Sequence, residues 1–478
     1  MSINYGQFAP GLADITPGRS GVLDNVVPLA DDSYGPFPQL TTVVGATALD
    51  AAPVGIISFP KADGTFVLFA ADSSKWYSVS ATGTPASIGT GYSVPSGDRE
   101  SFVRFGDYLV GSNVVDGMRA YNFESPTSVA AVSGAPAARA LFLASDYLFA
   151  LDCDGDNRLM RNSDANDHTN WDAGLAASQP FEEGGALIGG RAISNGAAIV
   201  FQREAIRLLT FNASGPLYSL TTLSTTAGAT CDQSIVAVNG VVFFMDTDGP
   251  KVASQGGVQP LGTQNGVASW FLKQCQAGDL RLVEAAYDRF RRMVWWRYKS
   301  GSDSDEVYST LLGYHIDLQR FVTATVNTSS IFSMATAGYT VDDMDSFGTV
   351  DDIDIPVDDR FWKGGEPTFA AFDGEYKLAY FSGSAAEATL ETPLLQFPGT
   401  TRFNRLTPLD DAGAGSAQVG VADRISDTLT WGSEASLTDS GTFPVRARGR
   451  VAKLRRTIPA GTSWTFAKGF DHINMMGR

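Results

Sequence analysis

Short apolar runs, each launched by an Asp, Asn or Gly turn, recur along the first two thirds of the chain. Thr65 to Phe69 follows Asp63-Gly64, Tyr108-Leu109-Val110 follows Gly106-Asp107, and Tyr147-Leu148-Phe149 follows Ser145-Asp146. Ala197 to Phe201 follows Asn195-Gly196, Val241 to Phe244 follows Asn239-Gly240, and Met293 to Trp296 follows Asp288-Arg289. Apolar, β-branched and aromatic runs bounded by turn formers predict β-hairpins.

The Asp and Asn positions 63, 107, 146, 195, 239 and 288 lie 44, 39, 49, 44 and 49 residues apart, close to the roughly 40–50 residues of a propeller blade. Each unit also runs on into a further strand, as in Met118 to Tyr121 and Leu312 to His315. A hairpin alone leaves its apolar face in water, so units of this size must stack on neighbours around a common axis. The pattern therefore predicts a mainly β protein with a propeller-like array of short antiparallel blades over residues 51–335, and little helix.

Beyond residue 335 the texture changes. Val341 to Trp362 holds eight aspartates against one arginine, a density of like charge that keeps a chain out of a packed core. Residues 336–385 are expected to be an acidic connector, in which Asp373-Gly374 before Tyr376 to Phe381 begins either a last blade or the next domain. Longer strands over 386–478 predict a separate C-terminal β domain, and residues 1–50 an extended arm joining it. A chain of 478 residues exceeds the roughly 250–300 that one core supports, in keeping with several units.

The formal charge of −17 and the isoelectric point near 4.6 argue against a nucleic-acid binder of the usual kind, whose affinity comes from Lys and Arg on phosphates. Met1 to Pro10 lacks the pattern of a secretory signal, and no apolar run approaches the roughly 20 residues of a membrane helix. The expectation is a soluble protein with no membrane anchor. Cys153, Cys231 and Cys275 are far apart and odd in number, which predicts buried free thiols.

Candidate chemistry is sparse. His168, His315 and His472 have no partners at metal or triad spacing, and no nucleophile, phosphate-loop or dinucleotide motif occurs. The loop Asp152 to Asn157 brings carboxylates together as a hard cation would require, but without the spacing of the helical calcium loop, so a solvated turn is favoured. Trp295, Trp296 and Tyr298 alternate with Arg291, Arg292 and Arg297 like a single-strand binding platform, yet blade packing, with only one tryptophan needing burial, accounts for them. No cofactor, metal or catalytic residue is expected.

One stretch is strongly basic. Its period of two places Arg446, Arg448 and Arg450 on one strand face, with Lys453, Arg455 and Arg456 just beyond. Contact with DNA and contact with carboxylates of a neighbouring subunit both call for arginine's fork geometry, and the sequence leaves the two open.

Residues at both ends resemble the nozzle or head-to-tail hub proteins of short-tailed bacteriophages. Gly21 to Pro28 followed by Tyr34 to Leu40 is similar to their opening, Asp351 to Trp362 to an acidic passage between domains, and Gly441 to Arg450 with Ile458 to Trp464 and Gly477-Arg478 to their closing domain. The resemblance implies a hexameric virion tail tube with a propeller in each subunit, made in the host cytoplasm. It would meet an adaptor ring and tail fibres or receptor-binding proteins, retain packaged double-stranded DNA, and pass it on without reading its sequence. The rival expectation is a propeller that binds or degrades polysaccharide, which needs paired carboxylates about 5–10 Å apart or an aromatic cradle at its mouth.

Overall fold

A computed structural model gives the fold and describes residues 2–11, 18–61, 65–301, 303–335 and 367–477, with side chains as far as 471. The acidic segment 341–362 and the turn Asp63-Gly64 lie outside the described residues. Strands dominate, and among the described residues the single α-helix is Val267–Gln274, which tucks Val267 and Phe271 into the core.

Five four-stranded antiparallel blades follow one another. Blade one is Gly55–Pro60, Phe66–Ala71, Lys75–Val79 and Pro85–Thr90, and blade two runs from Ser101–Phe105 to Ala130–Ala131. Blade three runs from Ala138–Ala144 to Ala177–Pro180, blade four from Leu187–Ser194 to Tyr218–Ser224, and blade five from Val236–Val238 to Gly257–Pro260. Blade six is Glu284–Asp288, Met293–Tyr298, Tyr308–His315 and the start of Arg320–Ala335. The recurring turns of the sequence join the first strand of a blade to its second. At Asn239-Gly240 both residues have positive φ, 50° and 81°, which matches the twist of the flanking strands and suits Asn and Gly.

The sixteen-residue strand Arg320–Ala335 serves two blades. Arg320 to Thr325 forms the outer edge of blade six. After a register shift at Thr328/Ser330 its second half becomes the innermost strand of blade seven, paired with Pro367–Asp373 and then Leu378–Ala385. The fourth strand of that blade comes from the other end of the chain: Pro38–Thr42 pairs antiparallel with it, Thr42 opposite Ala379 and Leu40 opposite Phe381. Blade seven then packs on blade one through Phe332, Phe372 and Leu378 against Leu68, Ala70 and Tyr77. The result is a closed seven-bladed propeller, within the usual four to eight blades of four strands.

Residues 367–385 supply two strands of the last blade, one of the two readings the sequence left open, while the expected boundary at residue 50 shifts: the end of the N-terminal arm belongs to the propeller, because a ring of sheets needs its final edge covered. Both Trp295 and Trp296 are fully buried, since the second strand of a blade has neighbouring blades on both faces. Trp295 fits against Gly313, where a Cβ would come within 2.4 Å of its ring.

The C-terminal domain is a sheet of long strands, Leu395–Asp410, Ser416–Ala422, Phe443–Ile458 and Ala467–Gly477, with Ala388–Glu391. The arm is woven into it: Ile3 pairs with Phe470, Leu23 with Leu390, and Tyr34 with Ala467. One large core, from Phe8 and Phe37 through Trp295 to Phe403 and Phe470, joins this domain to blades five and six. Phe37 sits at the seam, its ring centroid 4.8 Å from Trp295 and 5.3 Å from Phe381. Phe37→Ala should therefore remove about 3–5 kcal/mol of stability, read as a lowered urea midpoint by tryptophan fluorescence. A loss below about 1 kcal/mol would show that the arm is only loosely docked.

Candidate functional site

The basic C-terminal strand divides in two. Over its second half, neighbours on both edges enclose the cations. Arg456 is wholly buried; its Nε donates to Asp410 Oδ2 at 3.0 Å and its guanidinium lies 4.8 Å from the Phe443 ring centre. Lys453 is buried 3.5 Å from Glu391 Oε2, and Arg455 bonds the same carboxylate at 2.6 Å while stacking on Trp431. These three hold the domain together, which withdraws Lys453 and Arg456 from the candidate contact surface and leaves Arg455 only partly exposed.

Over the first half the alternation expected from the sequence is present: Val445 is buried, Ala447 half-buried and Gly449 buried, while Arg446, Arg448 and Arg450 are exposed. The partner strand adds two cations that sequence reasoning missed. Arg402 stands directly opposite Arg448, and Arg405 opposite Pro444, both exposed, with Asn404 between them. Among the described residues none of the five arginines has a hydrogen-bond or ion-pair partner. Only strand register could have brought Arg402 and Arg405 into view, as they lie some forty residues upstream.

The propeller axis holds a cavity of about 510 Å³, lined by the innermost strand of every blade: Ile56, Phe102, Phe142, Arg191, Val236, Ala285 and Ile331. Charges enter it mostly in pairs. Glu284 accepts from Arg99 at 3.1 Å, lies 3.4 Å from Arg297, and accepts the Ile331 backbone N–H at 3.3 Å. That carboxylate ties together the entry to blade two, blade six and the inner strand of blade seven. Arg297 is fully buried, stacks 3.8 Å from the Tyr308 ring centre and donates to the Thr328 carbonyl. Arg191 bonds Asp232 at 2.6 Å.

Glu100 differs. It is 2% exposed and takes a hydrogen bond from Asn113 at 2.8 Å, with buried Trp76 beside it as a further donor that favours its charged form. Burial pushes its carboxyl up to about 7, against the lowering pull of Asn113 and Arg119.

The remaining candidates have structural surroundings. Asp152 pairs with Arg139, Asp154 accepts the Ala137 N–H, and Asp156 accepts the Arg158 N–H, so the carboxylates of that loop face different partners. No His, Cys, Asp or Glu group among the described residues is arranged to hold a metal ion. His168 packs against Tyr108, His315 Nδ1 accepts the Leu318 N–H, and burial lowers the pKa of both; the side chain of His472 lies outside the described residues. The three thiols are free and buried as expected, and burial pushes those of Cys153 and Cys275 up to about 12. No helix among the described residues is long and apolar enough to cross a membrane.

No protein-family model and no curated protein matches the chain. Among solved structures it is similar to U3-55K, at 11% identity over 62% of this chain and 89% of that one, TM-score 0.40. It is also similar to a streptogramin B lyase, at 9% identity over 70% and 94%, TM-score 0.41. Likenesses this distant carry nothing about activity, and the propeller architecture stands on the strand pairing above.

Two outcomes follow from the burial pattern. Arg456→Met removes the partner of the buried Asp410 side chain and should cost about 3–5 kcal/mol, whereas Arg448→Gln should change stability by no more than about 0.5 kcal/mol; thermal unfolding compares them. Glu100 is raised from 4.5 to about 7 in the fold, so the folded state binds its proton more tightly than the unfolded chain. Its contribution is complete below about pH 4.5 and falls away as pH rises to about 7, a loss of roughly 3 kcal/mol. Glu100→Gln should flatten that part of the stability–pH curve, and an unchanged curve would contradict the assignment.

Proposed function

We propose that the chain is a non-enzymatic structural subunit of a short-tailed phage tail nozzle. Six copies form a ring that retains packaged duplex DNA, conducts it during ejection, and docks an adaptor ring and tail fibres. The observation that carries this reading is where the residues of the family resemblance sit. Asp24 accepts hydrogen bonds from the hydroxyls of Thr323 and Thr325 at 2.7 and 2.9 Å. Asn25, at a positive φ of 56° that Asn tolerates, donates to the Glu387 carbonyl and accepts from the Thr325 N–H. Pro38 to Leu40 lies in the strand that closes blade seven, Tyr34 pairs with Ala467 of the C-terminal sheet, and Phe443 to Arg450 forms the arginine-bearing half of its strand. These motif residues join arm, propeller and second domain into one body, which explains their residue types by their task.

The charge fits a conduit. A wall that is mainly acidic offers phosphates few ion pairs, so duplex DNA slides along it with little retention. The rival reading, a polysaccharide-acting propeller, lacks support in the axial cavity, where Glu284 is bound by two arginines and Glu100 is sealed from water.

Light scattering and negative-stain imaging of the purified chain test the proposal. The expected result is a six-fold ring of about six times the 50.8 kDa chain, with no hydrolysis of polysaccharide or nucleic acid. A chain that stays monomeric at every concentration and fails to enter tail particles would overturn it.

A further inference from the structure

We infer that Arg402, Arg405, Arg446, Arg448 and Arg450 form a sequence-independent docking face for the phosphate backbone of duplex DNA. The inference rests on the conduit reading above and gives it a specific contact.

Like charges directly opposite on paired strands are destabilising, and among the described residues no anion lies between Arg402 and the Arg448 it faces. The sequences Leu395 to Leu406 and Phe443 to Ala452, which form this part of the ribbon, contain no acidic residue. In a chain of net charge −17, a patch of five unpaired arginines awaits an anionic partner. Three of them repeat every second residue, about 6.7 Å apart along the strand, and a guanidinium fork is suited to bidentate contact with phosphate.

The face also discriminates between occupants. Protein–protein interfaces have an apolar, charge-depleted centre with a polar rim. Here the exposed positions between the arginines are Asn404 and Pro444, and the large hydrophobic side chains exposed elsewhere, such as Phe290 and Ile425, are absent from it. Among the described side chains of these two strands the face is cationic and lacks an apolar centre, which suits a regularly charged polyanion better than a second copy of this chain. Arginines spaced along one strand face are matched here to the regularly repeating phosphates, contacts that carry no sequence information, so no base preference is expected.

Fluorescence anisotropy with a labelled duplex, from about 50 to 200 mM salt, reads the contact as a salt slope. Wild type should bind at the low end and lose affinity steeply, with a log–log slope approaching about −4.5 for five phosphates. The variant carrying Arg402→Gln, Arg405→Gln, Arg446→Gln, Arg448→Gln and Arg450→Gln should lose that affinity while keeping its circular dichroism and its oligomeric mass, and duplexes of unrelated sequence should bind alike. No affinity at the lowest salt, affinity retained by the five-fold variant, or loss of self-association instead of DNA binding would each overturn the inference; the last would assign the face to a neighbouring subunit. A wild-type ring without DNA affinity removes this inference and leaves the nozzle reading standing. Arginine-dependent affinity in a chain that never forms a ring keeps the inference and removes that reading.

Discussion

A blade buries both faces only when it has a neighbour on each side, so the array gains its full stability when the first and last blades meet. That closure is made here by Pro38–Thr42, hydrogen-bonded along Leu378–Ala385 as the outer strand of blade seven. The strand comes from the N-terminal arm, whose other segments pair with the C-terminal sheet at Phe470, Leu390 and Ala467. Closing the ring and docking the second domain are therefore one event in the structure. Phe37, wedged between Trp295 and Phe381, is the point at which the two are packed together.

The same economy governs the strand Arg320–Ala335. By passing from the rim of blade six to the axis of blade seven it leaves a seam where two sheets part company. Arg297 fills that seam, bonded to the Thr328 carbonyl, with Glu284 between it and Arg99. A carboxylate shared by two guanidiniums in a dry place is costly to assemble and costlier to break, because losing one partner strands a buried charge. The axial charges of this propeller thus act as a rivet between blades two, six and seven.

Much of this was legible in the sequence. The turn recurs because in blades two to six the first and second strands are joined tightly, so the spacing of Asp107, Asp146, Asn195, Asn239 and Asp288 reported blade length directly. Blade seven was hard to see because its four strands come from three separate parts of the chain, and a period cannot register a strand that arrives from residue 38. The burial of both Trp295 and Trp296 escaped a rule drawn from half-exposed sheets, since interior blade strands are packed on both faces. The alternation over Val445 to Arg450 was readable, but its extension by Arg402 and Arg405 depended on strand register, and the burial of Lys453 and Arg456 on where neighbouring strands begin.

That last division has an electrostatic logic. The strand Phe443–Ile458 is paired on one edge by Leu395–Asp410 and then, from Arg455, by Ala388–Glu391, and on the other only from Val451 onward, where Ser416–Ala422 joins it. Where both edges are covered, its cations are surrounded and need Asp410 and Glu391, so they become part of the core. Where one edge stands free, no carboxylate is supplied and the arginines stay in water. A row of charged residues beside an uncovered edge also hinders unwanted strand addition there. Among the described residues this concentrates positive charge on the segment least shielded by its own chain, in a molecule that is acidic as a whole.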